Sequence, residues 1–178
     1  MSRHVHCSWT GIHTKRPARL KNFSYLGIHR YSLTFCTDRR RRLFEDASVV
    51  SLVLAQFLRV AGKEGFVVLA YCFMPDHIHL LIEGLREDAD ARKFITKSKQ
   101  CSAHAYAEST GCRLWQPFGY EHVVRSEEST IAIARYILEN PIRAGLARGV
   151  LEYPFSGSQV YDLRELLESF PETGTQVK

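Results

Sequence analysis

Polar and apolar residues alternate from Arg30 to Thr37, RYSLTFCT, and this alternation predicts a β-strand. The next segment, from Asp46 to Gly65, instead repeats its apolar residues at helical spacing. It begins with an aspartate that can cap a helix and ends in a stretch with Gly62 and Gly65. The first half of the chain therefore opens with a strand followed by a helix.

A β-hairpin is predicted next, because two apolar runs, FVVLAYCF and HIHLLIEG, flank Met74-Pro75-Asp76. Proline followed by aspartate favours a tight turn. A second helix is expected over EDADARKFITKSKQCSAHAYAEST, ended by Gly111, and then an extended segment, LWQPFGYEHVVR. A third helix is expected to begin with Ser126 as its cap, to carry an acidic first turn and to run into Pro141.

The predicted order is β-α-β-β-α-β followed by a helix. This is the ferredoxin-like or split βαβ arrangement of the α+β class, an antiparallel sheet with helices on one face, plus a C-terminal tyrosine-bearing helix. With 178 residues, 45% of them hydrophobic, the chain can bury one substantial core. We expect one domain over residues 29–158, a basic arm over 1–28 that is partly ordered at most, and a short helix and tail over 159–178.

Two features bear on the compartment. No apolar run approaches the roughly 20 residues of a membrane-spanning helix, and the N-terminal residues lack the apolar core of a signal peptide. The five cysteines include no C-x-x-C pair, which argues against a disulfide framework and against a thiolate zinc site. We therefore expect a cytoplasmic protein that has no membrane partner.

The net charge of +5 is clustered, most densely at Arg39, Arg40, Arg41 and Arg42, with Lys97 on a later segment. Basic clusters favour a partner with a phosphate backbone, because each neutralised phosphate releases counterions. A solvated basic surface explains the charge equally well.

His77 and His79 stand two residues apart in the second arm of the hairpin, so a strand places both imidazoles on one face. Two neutral imidazoles form half of a metal site, although histidines on an apolar face are often ordinary packed residues. On the last helix, Tyr136 and Asn140 are four residues apart and share a face. That helix is the candidate cover for the exposed sheet face, where a phenol, an amide and two imidazoles could converge. A tyrosine that merely packs the helix on the sheet is the ordinary alternative.

These residues carry a family resemblance. MPDHIHLLIEG resembles the His-hydrophobic-His signature of single-tyrosine transposases, and YILENPIRAGL resembles the tyrosine helix of their REP-associated branch. LWQPFGYEHVVR and YPFSGS are similar to two further segments of that branch. The four motifs occur in the right order between Arg30 and Ser158.

The resemblance implies a metal-dependent transesterase acting on single-stranded DNA that contains a hairpin or palindromic repeat. His77, His79 and Asn140 would bind Mg²⁺ or Mn²⁺, and Tyr136 would form a 5′-phosphotyrosine and release a 3′-hydroxyl. His122 matches a recurrent position and is a possible accessory residue. The candidate DNA contacts are Arg39, Arg40, Arg41, Arg42, Lys97 and Arg143, and the protein is expected to be a monomer or homodimer.

Two other functions stay open. With inert histidines, the same fold could bind single-stranded nucleic acid by stacking bases on exposed aromatics such as Trp115, Phe118 and Tyr120. Alternatively, a metallohydrolase would use metal-bound water in place of Tyr136 as the attacking group.

Overall fold

The computed structural model describes residues 24–124 and 130–168. Its centre is an antiparallel five-stranded sheet with the strand order β4-β1-β3-β2-β5. The strands are β1 (Arg30–Thr37), β2 (Phe66–Met74), β3 (His77–Gly84), β4 (Trp115–Val124) and β5 (Ser156–Gly157). The first four strands have the ferredoxin-like order, which confirms the predicted fold, and the strand that carries the two histidines is central.

Two long helices, α1 (Ala47–Glu64) and α2 (Ala91–Thr110), pack against each other. The Asp46 carboxylate accepts a hydrogen bond from the Ser48 backbone N–H at 2.8 Å and caps α1 as predicted. The helix continues through Gly62 and ends at Gly65, whose φ of 74° suits a glycine. The prediction that Gly111 ends α2 is also confirmed.

The C-terminal half is built from shorter helices: α3 (Thr130–Leu138), α4 (Asn140–Arg143) and α5 (Leu163–Glu168). Single 3₁₀ turns occur at Asp38–Arg40, Leu43–Glu45 and Val150–Glu152. The predicted Ser126 cap and acidic first turn lie outside the described residues. No helix in the described ranges is both long and apolar enough to cross a membrane.

The sheet buries apolar side chains on both faces. On one face, Ile78, Leu80 and Ile82 of β3 join a core built with α1 and α2. On the other face, Leu81 of β3 joins a second core that includes Ile137 of α3. Because side chains alternate along a strand, His77 and His79 lie on the same face as Leu81, under α3. The predicted covering of the histidine face by the tyrosine helix is confirmed.

Residues 24–28 belong to the packed part of the chain. Tyr25 is buried in the first core, Leu26 forms a β-bridge with Asp90, and the Ala91 backbone N–H donates to the Tyr25 carbonyl at 3.0 Å. The packed region therefore extends back to Tyr25, within the range assigned from sequence to the N-terminal arm. Residues 1–23 lie outside the described part, and the basic arm stays a prediction there.

Candidate active site

The imidazoles of His77 and His79 converge. Their Nε2 atoms are 3.0 Å apart, and their ring planes meet at 84°. Two neighbouring ligands of one octahedral cation, each about 2.1 Å from it, stand about 3.0 Å apart, so the pair fits two positions of such a cation. The same distance admits a hydrogen bond between the rings.

Each imidazole has a hydrogen-bond partner at Nδ1, the ring nitrogen that takes no part in the Nε2 contact. The Asp76 carboxylate lies 2.6 Å from Nδ1 of His77, and the Thr34 hydroxyl lies 3.0 Å from Nδ1 of His79. Arg40 holds the other oxygen of Asp76 at 2.8 Å. An ionised carboxylate only accepts hydrogen bonds, so His77 donates its Nδ1 proton and leaves the Nε2 lone pair for a ligand.

Electrostatics favour the forms that bind a cation. Burial lowers the pKa of His79 to about 3, and the nearby side chains of His77, Arg143 and Arg40 add to the shift. His79 is therefore a neutral imidazole at physiological pH. Burial alone would raise the pKa of Asp76, but its hydrogen bond to His77 and the neighbouring His77 and Arg40 side chains lower it overall.

Tyr136 lies on α3, which packs on β2 and β3, and it is 49% exposed. The guanidinium of Arg143 lies 4.0 Å from the centroid of its ring. Arg143 lies on the segment Asn140–Arg143, which packs on β2, and Ile142 of this segment packs against the core on the histidine face. The phenol is thus a solvent-accessible nucleophile candidate on the element that covers the histidine face.

Asn140 departs from the predicted continuous helix, because α3 ends at Leu138 and Asn140 begins α4. Its Nδ2 donates to the carbonyls of Tyr136 and Ile137, both at 3.2 Å. The amide therefore ties the two helices together. A cation would be bound through Oδ1, and the assignment of Asn140 as a ligand stays a prediction.

The four-arginine cluster lies in the loop after β1, beside the Asp76 turn, but its members have different surroundings. Arg41 donates to the carbonyls of Asp38 and Arg113, and Arg42 forms an ion pair with Glu45 at 2.7 Å.

Arg40 is engaged with Asp76, which leaves Arg39 as the most exposed member of the cluster. The side chain of Arg39 is 88% exposed, and its nearest carboxylate oxygen, on Asp38, is 3.9 Å away.

Lys97 and His122 lie apart from the histidine pair. Lys97 is on α2, on the opposite face of the sheet, and its Nζ forms an ion pair with Glu64 at 2.6 Å. His122 is on β4 opposite Ser32, on the same face as the histidines. It is two strands across and two residues along the sheet from His79, and hence roughly 12 Å away.

The prediction that Trp115 is an exposed aromatic is wrong. It is 4% exposed, its ring packs against Phe35, Phe44 and Phe57, and its Nε1 donates to Ser102 at 2.9 Å. Tyr120 is 44% exposed, as expected. The side chain of Phe118 lies outside the described part.

Within residues 24–124 and 130–168, no three His, Cys, Asp or Glu side chains are grouped to hold a metal ion. Further ligands would have to come from an amide, water or substrate. The roles of Asp76 and Thr34 were missed from the sequence. Asp76 directly precedes His77 and offered a signal, whereas Thr34 could be found only from the register between β1 and β3.

Comparison with known proteins gives a consistent result. The family model of IS200-like transposases matches residues 27–140. A Haemophilus influenzae protein assigned by its name to the REP-associated tyrosine transposases is 30% identical over 150 residues, which cover 76% of this chain and 82% of that protein. The REP-associated tyrosine transposase of Escherichia coli is 26% identical over 99 residues, covering 56% and 58%.

A solved structure of a REP-associated tyrosine transposase bound to a REP hairpin has a similar fold. The match has a TM-score of 0.64 and 21% identity, and it covers 78% of this chain and 81% of that one.

Proposed function

Because this chain belongs to the family of IS200-like transposases, we propose that it cuts and rejoins single-stranded DNA with Tyr136 as the nucleophile. The carrying observation is the placement of a half-exposed tyrosine on the helix that covers two convergent imidazoles. Phosphoryl transfer to a side chain requires a nucleophile close to a bound cation. In this proposal, α3 brings Tyr136 to a cation held by the two imidazoles.

The proposed reaction is a transesterification. The Oη of Tyr136 attacks a backbone phosphorus and forms an O–P bond, while the bond from phosphorus to the 3′ oxygen breaks. The phenol loses a proton and the released 3′ oxygen gains one, so the step needs no co-reactant. Attack of another 3′-hydroxyl on the 5′-phosphotyrosine reverses these bond changes and joins the strands.

The residues around the pair have supporting roles. His77, His79 and Oδ1 of Asn140 would hold Mg²⁺ or Mn²⁺, which stabilises charge on the phosphate oxygens when bound. Asp76 and Thr34 orient the two imidazoles, and Arg40 holds Asp76. Arg39 projects into solvent beside this turn, where it can contact a phosphate.

We propose hairpin or palindromic-repeat DNA as the substrate. Two relatives are named for REP sequences, and the structurally similar transposase is bound to a REP hairpin. The proposal is that this chain acts on DNA of the same class.

The test is Tyr136→Phe, with Tyr161→Phe as a matched control at another exposed tyrosine. Each protein is incubated with labelled hairpin oligonucleotides and Mn²⁺ and analysed on a denaturing gel. Wild type and Tyr161→Phe should form a covalent protein–DNA band, and Tyr136→Phe should bind DNA without forming it. A band in Tyr136→Phe would identify another nucleophile. Cleavage by the wild type without a band would favour metal-bound water, and binding without cleavage would favour the binding module.

A further inference from the structure

Arg143 makes three contacts at the end of the tyrosine helix. Its guanidinium lies over the Tyr136 ring at 4.0 Å, it donates to the Tyr136 carbonyl, and it pairs with Glu139 at 3.4 Å. Glu139 in turn pairs with Arg135 at 2.6 Å. The hydrogen bond and the ion pair therefore hold the guanidinium in place over the ring.

Arg143 lies on α4, which packs on β2. Its neighbour Ile142 packs against the second core, the core on the histidine face of the sheet. The stack of Arg143 on Tyr136 therefore lies at the end of the helices that cover this face.

We propose that Arg143 is a positioning residue that holds the Tyr136 ring in one orientation toward the histidine strand. The inference rests on the proposed function. A half-exposed aromatic side chain on a helix can occupy more than one χ1 rotamer. A guanidinium stacked on one side restricts that choice, and its planar fork can stack and donate hydrogen bonds at once. A lysine ammonium supplies the charge without this geometry.

The simpler role for Arg143 is a charge that attracts DNA phosphates. The two roles predict different kinetics. A phosphate contact affects how tightly DNA binds, whereas orientation of the nucleophile affects the rate at saturating DNA, because misplacement by about 1 Å can cost about 100-fold in rate.

The chain contains a matched control. Arg92 lies over the ring of Tyr25 at 4.4 Å, on the α2 side of the sheet, away from the histidines. Arg92→Gln removes a comparable arginine–tyrosine stack outside the candidate site.

The experiment compares wild type, Arg143→Gln, Arg143→Lys and Arg92→Gln in the full chain. The first readout is the NMR spectrum of protein with isotope-labelled tyrosine rings, with the Tyr136 signal assigned from its loss in Tyr136→Phe. The second is the single-turnover rate of adduct formation with saturating hairpin oligonucleotide and Mn²⁺, together with the dissociation constant for DNA.

Both Arg143 variants should shift the Tyr136 ring signal and slow adduct formation about 10- to 100-fold at saturation. Arg92→Gln should shift the Tyr25 signal and leave the rate unchanged. An unmoved Tyr136 signal would overturn the stacking contact. A shifted signal with a wild-type rate, or recovery of the rate in Arg143→Lys, would overturn the positioning role. If the wild type itself forms no adduct, the proposed function fails.

Discussion

The Thr34 hydroxyl lies 3.0 Å from Nδ1 of His79, across the pairing of β1 with β3. His79 is neutral because burial lowers its pKa to about 3, so its orientation depends on hydrogen bonding more than on charge. The register of the sheet thus places Thr34 of β1 where it can orient the His79 ring and so direct Nε2 toward a ligand. No residue of β1 was predicted from the sequence to belong to the site.

Thr34→Val should weaken Mn²⁺ binding about 10- to 100-fold, because loss of a hydrogen bond behind a ligating imidazole typically has this effect. Valine keeps a β-branched shape but removes the hydroxyl. Calorimetric titration with Mn²⁺ measures the change.

Thr34→Ser restores a hydroxyl and should retain most of the affinity. Ser32→Ala, on the same face of β1 but opposite Leu81, should have no effect. Wild-type Mn²⁺ affinity in Thr34→Val would show that this hydrogen bond does not orient the ring.

His77→Ala combined with His79→Ala should abolish Mn²⁺ binding and adduct formation together. Tyr136→Phe should abolish only the adduct and keep Mn²⁺ binding, since the phenol is not a proposed ligand. Both variants should remain folded, because neither histidine belongs to the two apolar cores. Mn²⁺ titration and thermal unfolding of the same samples check this. Equal Mn²⁺ binding by wild type and the double variant would remove the histidines from the metal site.

The sequence was sufficient for the features that depend on local periodicity. The alternation of β1, the caps of α1 and the proline turn predicted the elements, and the two-residue spacing placed both histidines on one face. The burial of Trp115 was mispredicted although the period of a strand carries the signal. The pairing of β1 with β4 shifts by two residues between Phe35 and Thr37, so alternation is kept and Trp115 lies on the face opposite to Tyr120. That face packs on α1 and α2, which buries the indole.

The surroundings of charged residues were harder to predict from the sequence than the strands were. Arg42 and Lys97 stay predicted DNA contacts, and each forms an ion pair, Arg42 with Glu45 at 2.7 Å and Lys97 with Glu64 at 2.6 Å. The partner of Lys97 is 33 residues away, and such a contact depends on how α1 and α2 pack. Charge density in the sequence therefore overstates the number of free cations.

Lys99 gives a prediction about pH. Burial, with a smaller contribution from Arg113, lowers its pKa to about 8, although Cys36 opposes the shift. In the unfolded chain Lys99 has its ordinary pKa of 10.5. Between pH 8 and pH 10.5, Lys99 is therefore protonated to a greater extent in the unfolded chain than in the folded chain. The Lys99 contribution to the free energy of unfolding therefore rises with pH across this window. The stability of wild type relative to Lys99→Met should increase from pH 7 to pH 10 in chemical denaturation. A constant or falling difference would contradict the lowered pKa.

Arg39 tests the DNA interface without disturbing the fold. Its φ is 55°, in the left-handed region that glycine adopts without strain, and its side chain projects into solvent beside the Asp76 turn. Arg39→Gly should therefore leave the free energy of unfolding unchanged or slightly higher, while removing one candidate phosphate contact. For a single strand, the slope of log affinity against log salt should become shallower by roughly 0.7.

Arg59→Gln, which changes an exposed arginine of α1 on the opposite face of the sheet, should leave the slope unchanged. Affinities measured from low to high salt on the same hairpin oligonucleotide decide the question. If Arg39→Gly keeps both the affinity and the slope of the wild type, DNA does not approach the histidine pair across the loop after β1.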